Sequence, residues 1–318
     1  MKKAPVIILL ACISLLCSCS KNPFSNGEVP AEPYRRNIQQ PFQIVEICDN
    51  LNVSLKHSDA ANPAGTILIS IGENLIDRIG TEIEERTLSN NNDTLTLNAL
   101  VISNDNTNNF LRPYDYIREV TIYYDSLLQI TFNSNADWVQ TDVLPGYLLS
   151  THFSNTDTEW DSLAPNLILD VEGGSGNFNV MTDCYKVMAK YIHGTSTLNV
   201  SGTAALASVY ADYDCHGVIN CRDLDTHIFY VTTHGTNVIN TKTYHLLDIN
   251  HSNIGIVHYL RYSSEIEQHQ WNDTTHQYDT IHKHILCPEI IRFNGQNINI
   301  WSYNNGANSI TGLFQDLP

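Results

Sequence analysis

Histidine is abundant in this chain, 13 in 318 residues. His193, His216 and His234 each directly precede a glycine, and His251 lies near the next one. If successive repeats stack these positions, the imidazoles form a column, an arrangement suited to a divalent transition metal. A surface ladder bonded to turn backbone would use the same residues. No carboxylate or cysteine falls clearly in register to complete a ligand set, so no metal and no cofactor is assigned. Asp212, Asp214, Asp223 and Asp225 crowd one stretch of sequence. Paired carboxylates hydrolyse or cleave glycans when one has a raised pKa and the separation is set. A lyase also sets basic residues against the uronate. Residues 161–260 offer only Lys186, Lys190, Arg222 and Lys242. The aspartates read better as acidic turns, and no catalytic residue is assigned. Nucleophile-elbow, P-loop and zincin motifs are missing as well. Tyr185, Tyr191, Tyr210, Tyr213, Tyr230 and Tyr244 recur through the same region. Exposed rings of this kind stack on sugars, while buried ones merely fill strands.

One thiol has a more definite chemistry. Lys2 and Lys3 precede an apolar run from Ala4 to Leu16, which fits a secretory signal and is too short for a stable membrane span. Leu16-Cys17-Ser18-Cys19 then resembles the bacterial lipobox: an aliphatic residue, two small residues, and the cysteine whose sulfur takes a diacylglycerol thioether. Cys19 is therefore the expected lipid-attachment residue, with residues 1–18 as the signal peptide. Residues 19–40 are polar and contain prolines, as a tether would. Position +2 is Ser20 in place of the aspartate of inner-membrane retention, so the outer membrane is the expected location. The acidic run that often follows the cysteine in surface-exposed lipoproteins is absent, which leaves the periplasmic face and the cell surface both open.

Charge narrows the partners. Removing Lys2 and Lys3 leaves 17 − 2 = 15 basic against 34 acidic residues, a net of −19. Such a chain repels nucleic acid and anionic membrane surfaces. Five cysteines lie beyond the lipobox: Cys48, Cys184, Cys215, Cys221 and Cys287. An oxidising envelope permits disulfides. Cys215 and Cys221 are the nearest pair, but the odd number and irregular spacing leave buried free thiols as the equal alternative.

These residues must be positioned by strands. Val, Ile, Thr and Tyr dominate, and turn formers interrupt every few residues, the pattern of an all-β chain of short strands. Residues 41–133 read as a meander: Phe42 to Ile47, Leu51 to Leu55, Thr66 to Ser70, Asp93 to Leu97, Val120 to Tyr123 and Leu128 to Phe132. Residues 134–260 repeat. Asn177-Phe178-Asn179-Val180 is answered by Thr197-Leu198-Asn199-Val200, Val218-Ile219-Asn220-Cys221, Asn237-Val238-Ile239-Asn240 and Gly255-Ile256-Val257-His258, each beside a glycine turn. A period of 18 to 21 residues built only from strands and glycine turns predicts a parallel β-helix, with coils stacked about 4.8 Å apart. Residues 261–286 form a long polar insertion, read as a protruding hairpin with Trp271-Asn272-Asp273 near its tip. Residues 287–318 supply a last coil and tail.

In this order the segments resemble the putative auto-transporter adhesin, head GIN domain family, common among Bacteroidota lipoproteins. Phe42-x-Ile44-Val45 with Leu51-Asn52-Val53-x-Leu55 looks like the family's first two strands. Glu73-Asn74-Leu75, Ile79 to Ile83 and Leu95-Thr96-Leu97 resemble the segment that follows. Gly173-Gly174-Ser175-Gly176 is similar to its Ser-Gly-Ser-Gly coils, and Cys287-Pro288-Glu289-Ile290 with Phe293-Asn294-Gly295 to its last coil. Later coils depart from the pattern, with His-Gly in place of Ser-Gly. The resemblance implies a right-handed parallel β-helix-like solenoid over residues 41–318 with an N-terminal meander of short strands, and no enzymatic activity. It points to an adhesin or binding module for a glycan or an envelope or host protein. A periplasmic scaffold lipoprotein is the alternative, and a polysaccharide-acting enzyme comes third. Asp93-Thr94-Leu95, Asp125-Ser126-Leu127, Asp161-Ser162-Leu163, Asp273-Thr274-Thr275 and Asp279-Thr280-Ile281 also resemble an O-glycosylation consensus of such envelope proteins.

Overall fold

The computed structural model describes residues 28–89, 94–104, 117–148, 153–155, 158–160, 166–252, 255–272, 277–295, 300–304 and 310–313. The signal, Cys19 and residues 20–27 of the tether lie outside them, as do three of the five glycosylation-like motifs in whole or part; Asp125-Ser126-Leu127 links two strands and Asp279-Thr280-Ile281 falls on one. No helix among the described residues is long and apolar enough to cross a membrane.

Strands come in chain order as β1 (Tyr34–Asn37), β2 (Ile44–Asp49), β3 (Asn52–His57), β4 (Thr66–Ile71), β5 (Ile79–Ser89), β6 (Thr94–Asn104), β7 (Arg118–Tyr124), β8 (Gln129–Ser134) and β9 (Trp138–Leu144). A separate small ribbon joins β10 (Phe153–Asn155) to β11 (Thr158–Trp160). Then follow β12 (Asn166–Gly174), β13 (Asn177–Tyr191), β14 (Thr197–Ala211), β15 (Val218–Thr233), β16 (Val238–Thr241) and β17 (Leu246–His251). The chain closes with β18 (Ile256–Asn272), β19 (Gln277–Cys287), β20 (Ile290–Gly295), β21 (Ile300–Asn304) and β22 (Ile310–Leu313). Among the described residues the one helical element is a 3-10 turn, Ile76–Arg78.

Parallel ladders assemble these strands into a two-faced solenoid. On one face β12, β13, β14, β15, β17 and β20 stack in that order. On the other, β9, β13, β14, β15, β16, β18 and β21 do the same. β13, β14 and β15 serve both faces, each bending midway at Tyr185, Ala205 and His227. The register steps are Asn177↔Thr197, Thr197↔Val218, Val218↔Val238 and Val238↔Ile256. The 18-to-21-residue repeat therefore is the coil. Val238, not Asn237, meets Val218, and Ile256, not Gly255, meets Val238: the last two units read from sequence begin one residue early, because the alternating pattern alone does not fix where a unit starts.

The N-terminal segment holds the antiparallel pairs expected of a meander, β1 with β4, β4 with β7 and β5 with β6. The parallel ladder extends into it as well. β2 lies between β6 and β8, and β3 between β7 and β9, all parallel. The antiparallel pairs thus close the solenoid's first end, satisfying edge groups that would otherwise pair with another chain.

Period-two alternation sets the core. Phe178, Val180, Leu198, Val200, Ile219 and Ile239 point inward from one face, and Val187, Ala189, Val209, Phe229, Val231 and Ile249 from the other. All are buried, and Phe132 stacks on Phe178 with ring centroids 4.5 Å apart and 13° between planes. Glycine is required where coils touch backbone to backbone. Gly202 has φ +102°, and a Cβ there would lie 2.0 Å from the Thr182 carbonyl oxygen.

Candidate functional site

The four corner histidines do not form a column, which corrects the ladder expected of them. His216 shares a 2.5 Å hydrogen bond with Thr236 Oγ1, and His234 one of 2.5 Å with Ser252 Oγ. His193 Nδ1 lies 3.6 Å from Asp214 Oδ2. Each faces a different residue type one coil on, because the corner loops differ in length and displace the histidines relative to one another. Buried His251 is an internal brace, its Nε2 donating to the Gly255 carbonyl over 2.6 Å. It shares an inward column with Tyr191 and Thr233, which brace their own corners: Tyr191 donates to Ser196 O over 2.7 Å and Thr233 to Asn237 Oδ1 over 2.7 Å. No group of three metal-ligand side chains occurs among the described residues.

The aspartates are likewise dispersed. Asp212 and Asp214 sit at a glycine corner, where Asp212 Oδ1 accepts the Tyr213 backbone N–H at 2.7 Å. Asp223 and Asp225 lie along the face opposite Ser201 and Thr203, and Asp225 is ion-paired with Lys242. Cys48, Cys184, Cys215 and Cys221 are free thiols. Burial pushes both up to about 12, and burial with Asp49 and Glu46 nearby pushes Cys48 to about 11. Thiols so protonated are poor nucleophiles.

Sequence reasoning did not find the two outward features that run between coils. One is a polar ladder: Asn199 donates to Asn179 Oδ1 at 2.9 Å and Asn220 to Asn199 Oδ1 at 3.1 Å. Arg222 and His258 then converge on Asn240 Oδ1, each at 3.0 Å. Burial, then Arg222, lowers the His258 pKa, keeping the imidazole neutral. The Asn at the third position of the first three units, Asn179, Asn199 and Asn220, was its visible sign. The other is the column of His227, His245 and Glu289 along the midway bend. Its imidazoles stack at 5.1 Å and 11°, and His245 Nδ1 meets Glu289 Oε2 at 2.6 Å.

Of the six tyrosines, Tyr191 is buried and Tyr244 half-buried, while Tyr185, Tyr210, Tyr213 and Tyr230 are exposed. Two of these gather at the glycine corner. Tyr213, 63% exposed, stacks on the His234 ring at 5.2 Å and 19°, and Tyr210 meets that ring edge-on at 5.8 Å and 68°. Asp212 and Asp214 flank Tyr213 in sequence, and His193 lies beside Asp214. An open aromatic plane beside carboxylates supplies stacking area and hydroxyl acceptors together, the two contacts a sugar ring uses.

A family model described as putative auto-transporter adhesin, head GIN domain matches residues 41–261. No curated protein matches the chain in sequence. Among solved structures, a putative adhesin from Bacteroides fragilis aligns with TM-score 0.56 at 15% identity, over 87% of this chain and 98% of its own. A putative lipid binding protein from Parabacteroides distasonis aligns with TM-score 0.46 at 16% identity, over 73% and 91%. A putative adhesin from Parabacteroides merdae gives TM-score 0.42 at 13%, over 88% and 98%. The first of these likenesses establishes a shared fold.

Proposed function

Because the chain belongs to the putative auto-transporter adhesin, head GIN domain family, we propose that it is a non-catalytic binding module, lipid-anchored at Cys19 in the outer membrane, with a glycan as its ligand. The observation carrying this reading is the exposed Tyr210–Tyr213–His234 corner with its flanking carboxylates. A formal charge of −17 disfavours uronate or sulfated chains, so the ligand class is a neutral or amino-sugar polymer. The rigid solenoid holds the rings in place before binding, which limits the ordering entropy lost on association.

A glycan array probed with the purified protein and with Tyr213→Ala tests it. A stacked ring contributes about 0.5–1.5 kcal/mol, so the variant is expected to bind the preferred neutral glycans roughly two- to tenfold more weakly. Its thermal stability should stay within about 0.5 kcal/mol of the parent, because the residue is exposed. Equal binding by the two proteins counts against this corner, and no glycan bound at all counts against the ligand class. Shaving intact cells with protease decides the membrane face. Cleavage while a periplasmic control survives supports adhesion outside the cell, whereas protection moves the module to the periplasm and to a scaffold role there.

A further inference from the structure

The exposed tyrosines are not confined to the glycine corner. Tyr210 and Tyr230, 37% and 40% exposed, point outward from the second halves of β14 and β15. The ladder sets Tyr210 opposite Thr232 and Tyr230 opposite Ser208. Tyr210 therefore lies diagonally between Tyr230 and His234, the residues two places to either side of Thr232. With strands about 4.8 Å apart and a rise of about 3.3 Å per residue, diagonal neighbours of this kind sit about 8 Å apart, within reach of aromatic side chains. The rings of Tyr213, His234, Tyr210 and Tyr230 thus zigzag over two coils, from the corner onto the sheet. Tyr230 to His234 alone spans about 13 Å along the strand, more than one sugar ring covers. Polar groups edge this row: Lys190 and Thr232 stand on either side of Tyr210, and Ser208 and Asp248 on either side of Tyr230. Earlier in the column of Tyr230 the outward apolar residues are covered. Ile168 and Met188 are 3% and 8% exposed, and Ile168 packs with Ile44, Leu97, Leu128 and Tyr147.

We propose that the ligand of the glycine corner continues onto this row, with Tyr230 as a further stacking subsite, and that it is an internal stretch of a linear polysaccharide, not a terminal sugar. The inference rests on the glycan reading of the corner. Single exposed tyrosines are common on strands and need no ligand. A contiguous row that extends a stacked Tyr–His pair, with hydrogen-bonding groups along both edges, fits a ligand of apolar faces and hydroxyl edges. Among the described residues nothing closes the row at either end. Tyr213 is 63% exposed at the corner, and beyond Tyr230 come half-exposed Ile228 and exposed His227. A chain can therefore enter at one end and leave at the other. Asp212, Asp214 and Asp248 along the row, against Lys190 alone on its near edge, favour neutral or amino sugars over uronates.

Calorimetric titration of the full-length protein with chito-, cello-, laminari- and manno-oligosaccharides, each from disaccharide to hexasaccharide, tests the proposal. Affinity is expected to rise with chain length and then level off in at least one series. Tyr230→Ala should remove that gain, weakening the hexasaccharide roughly two- to tenfold and leaving the shortest bound member unchanged. Tyr230→Phe, which keeps the ring, should bind like the parent, and Tyr213→Ala should weaken every length. If Tyr230→Ala lowers the melting temperature, Thr232→Arg decides in its place. That variant sets a long side chain into the row and should weaken the hexasaccharide more than the shortest member. Affinity independent of chain length overturns the row, as does a hexasaccharide bound equally by parent and Tyr230→Ala. In either case the corner stands if Tyr213→Ala still weakens binding. Binding to none of the four series counts against row and corner together.

Discussion

Replacing Phe178 by alanine is expected to lower stability by about 3–5 kcal/mol, the usual loss when a fully buried aromatic side chain leaves a cavity. Phe178 has no exposed surface, and its ring lies on that of Phe132 at 4.5 Å. Those two rings belong to neighbouring coils, so the truncation removes contact on both sides of a coil boundary. In a solenoid, stability is close to a sum of coil and nearest-neighbour contributions, and losses at an inner boundary spread to both flanks. Guanidinium denaturation should show the midpoint falling. A shift of less than about 1 kcal/mol would mean that the inward column is not packed as described.

Asp170 leads to a gain on mutation. It sits at an outward position of β12, yet burial has pushed its carboxyl up from 3.8 to about 6, with Glu172 adding repulsion and Lys190 offsetting part of it. One carboxylate oxygen, Oδ1, is buried with no hydrogen-bond partner. The native state therefore holds this proton more tightly than the unfolded chain does. Stability from this group is complete below about pH 4 and declines as pH rises to about 6, a loss of roughly 3 kcal/mol above that window. Asp170→Asn should raise the melting temperature by several degrees at pH 7.5, with the gain shrinking toward zero near pH 4. A variant less stable than its parent at pH 7.5 would instead make the charged carboxylate a needed partner of Lys190.

The repeat was legible because the first three units share an apolar–Asn–apolar core beside a glycine, and both side-chain periodicity and turn chemistry are local. Two other features were not. The midway bend at Tyr185, Ala205 and His227 carries no glycine or proline, so no local signal marks where β13, β14 and β15 pass from one face to the other, although each is continuous. The parallel partners of β2 and β3 are supplied by residues 94–144, and no local pattern encodes a pairing that distant. At the candidate site the tyrosines were visible as a set, but whether each faces in or out depends on register. Tyr191 and Tyr210 differ by 19 positions in sequence, one short of the local repeat, and that single residue sends one inward and the other outward.

The place of β2 and β3 in the ladder has a consequence for the order of assembly. A chain made from its N-terminus presents residues 44–57 first, yet both neighbours of those strands come from residues 94–144. The first coil made is thus an inner coil of the finished stack. It gains its first partner only with β6 and stays incomplete until β9 has been delivered, and contacts so far apart in sequence form slowly. Later coils need only add themselves to a surface already present. Growth should therefore start from a unit of three interlocked coils and proceed toward the C-terminus, so that C-terminal truncation shortens the stack while loss of residues 44–57 splits it from within.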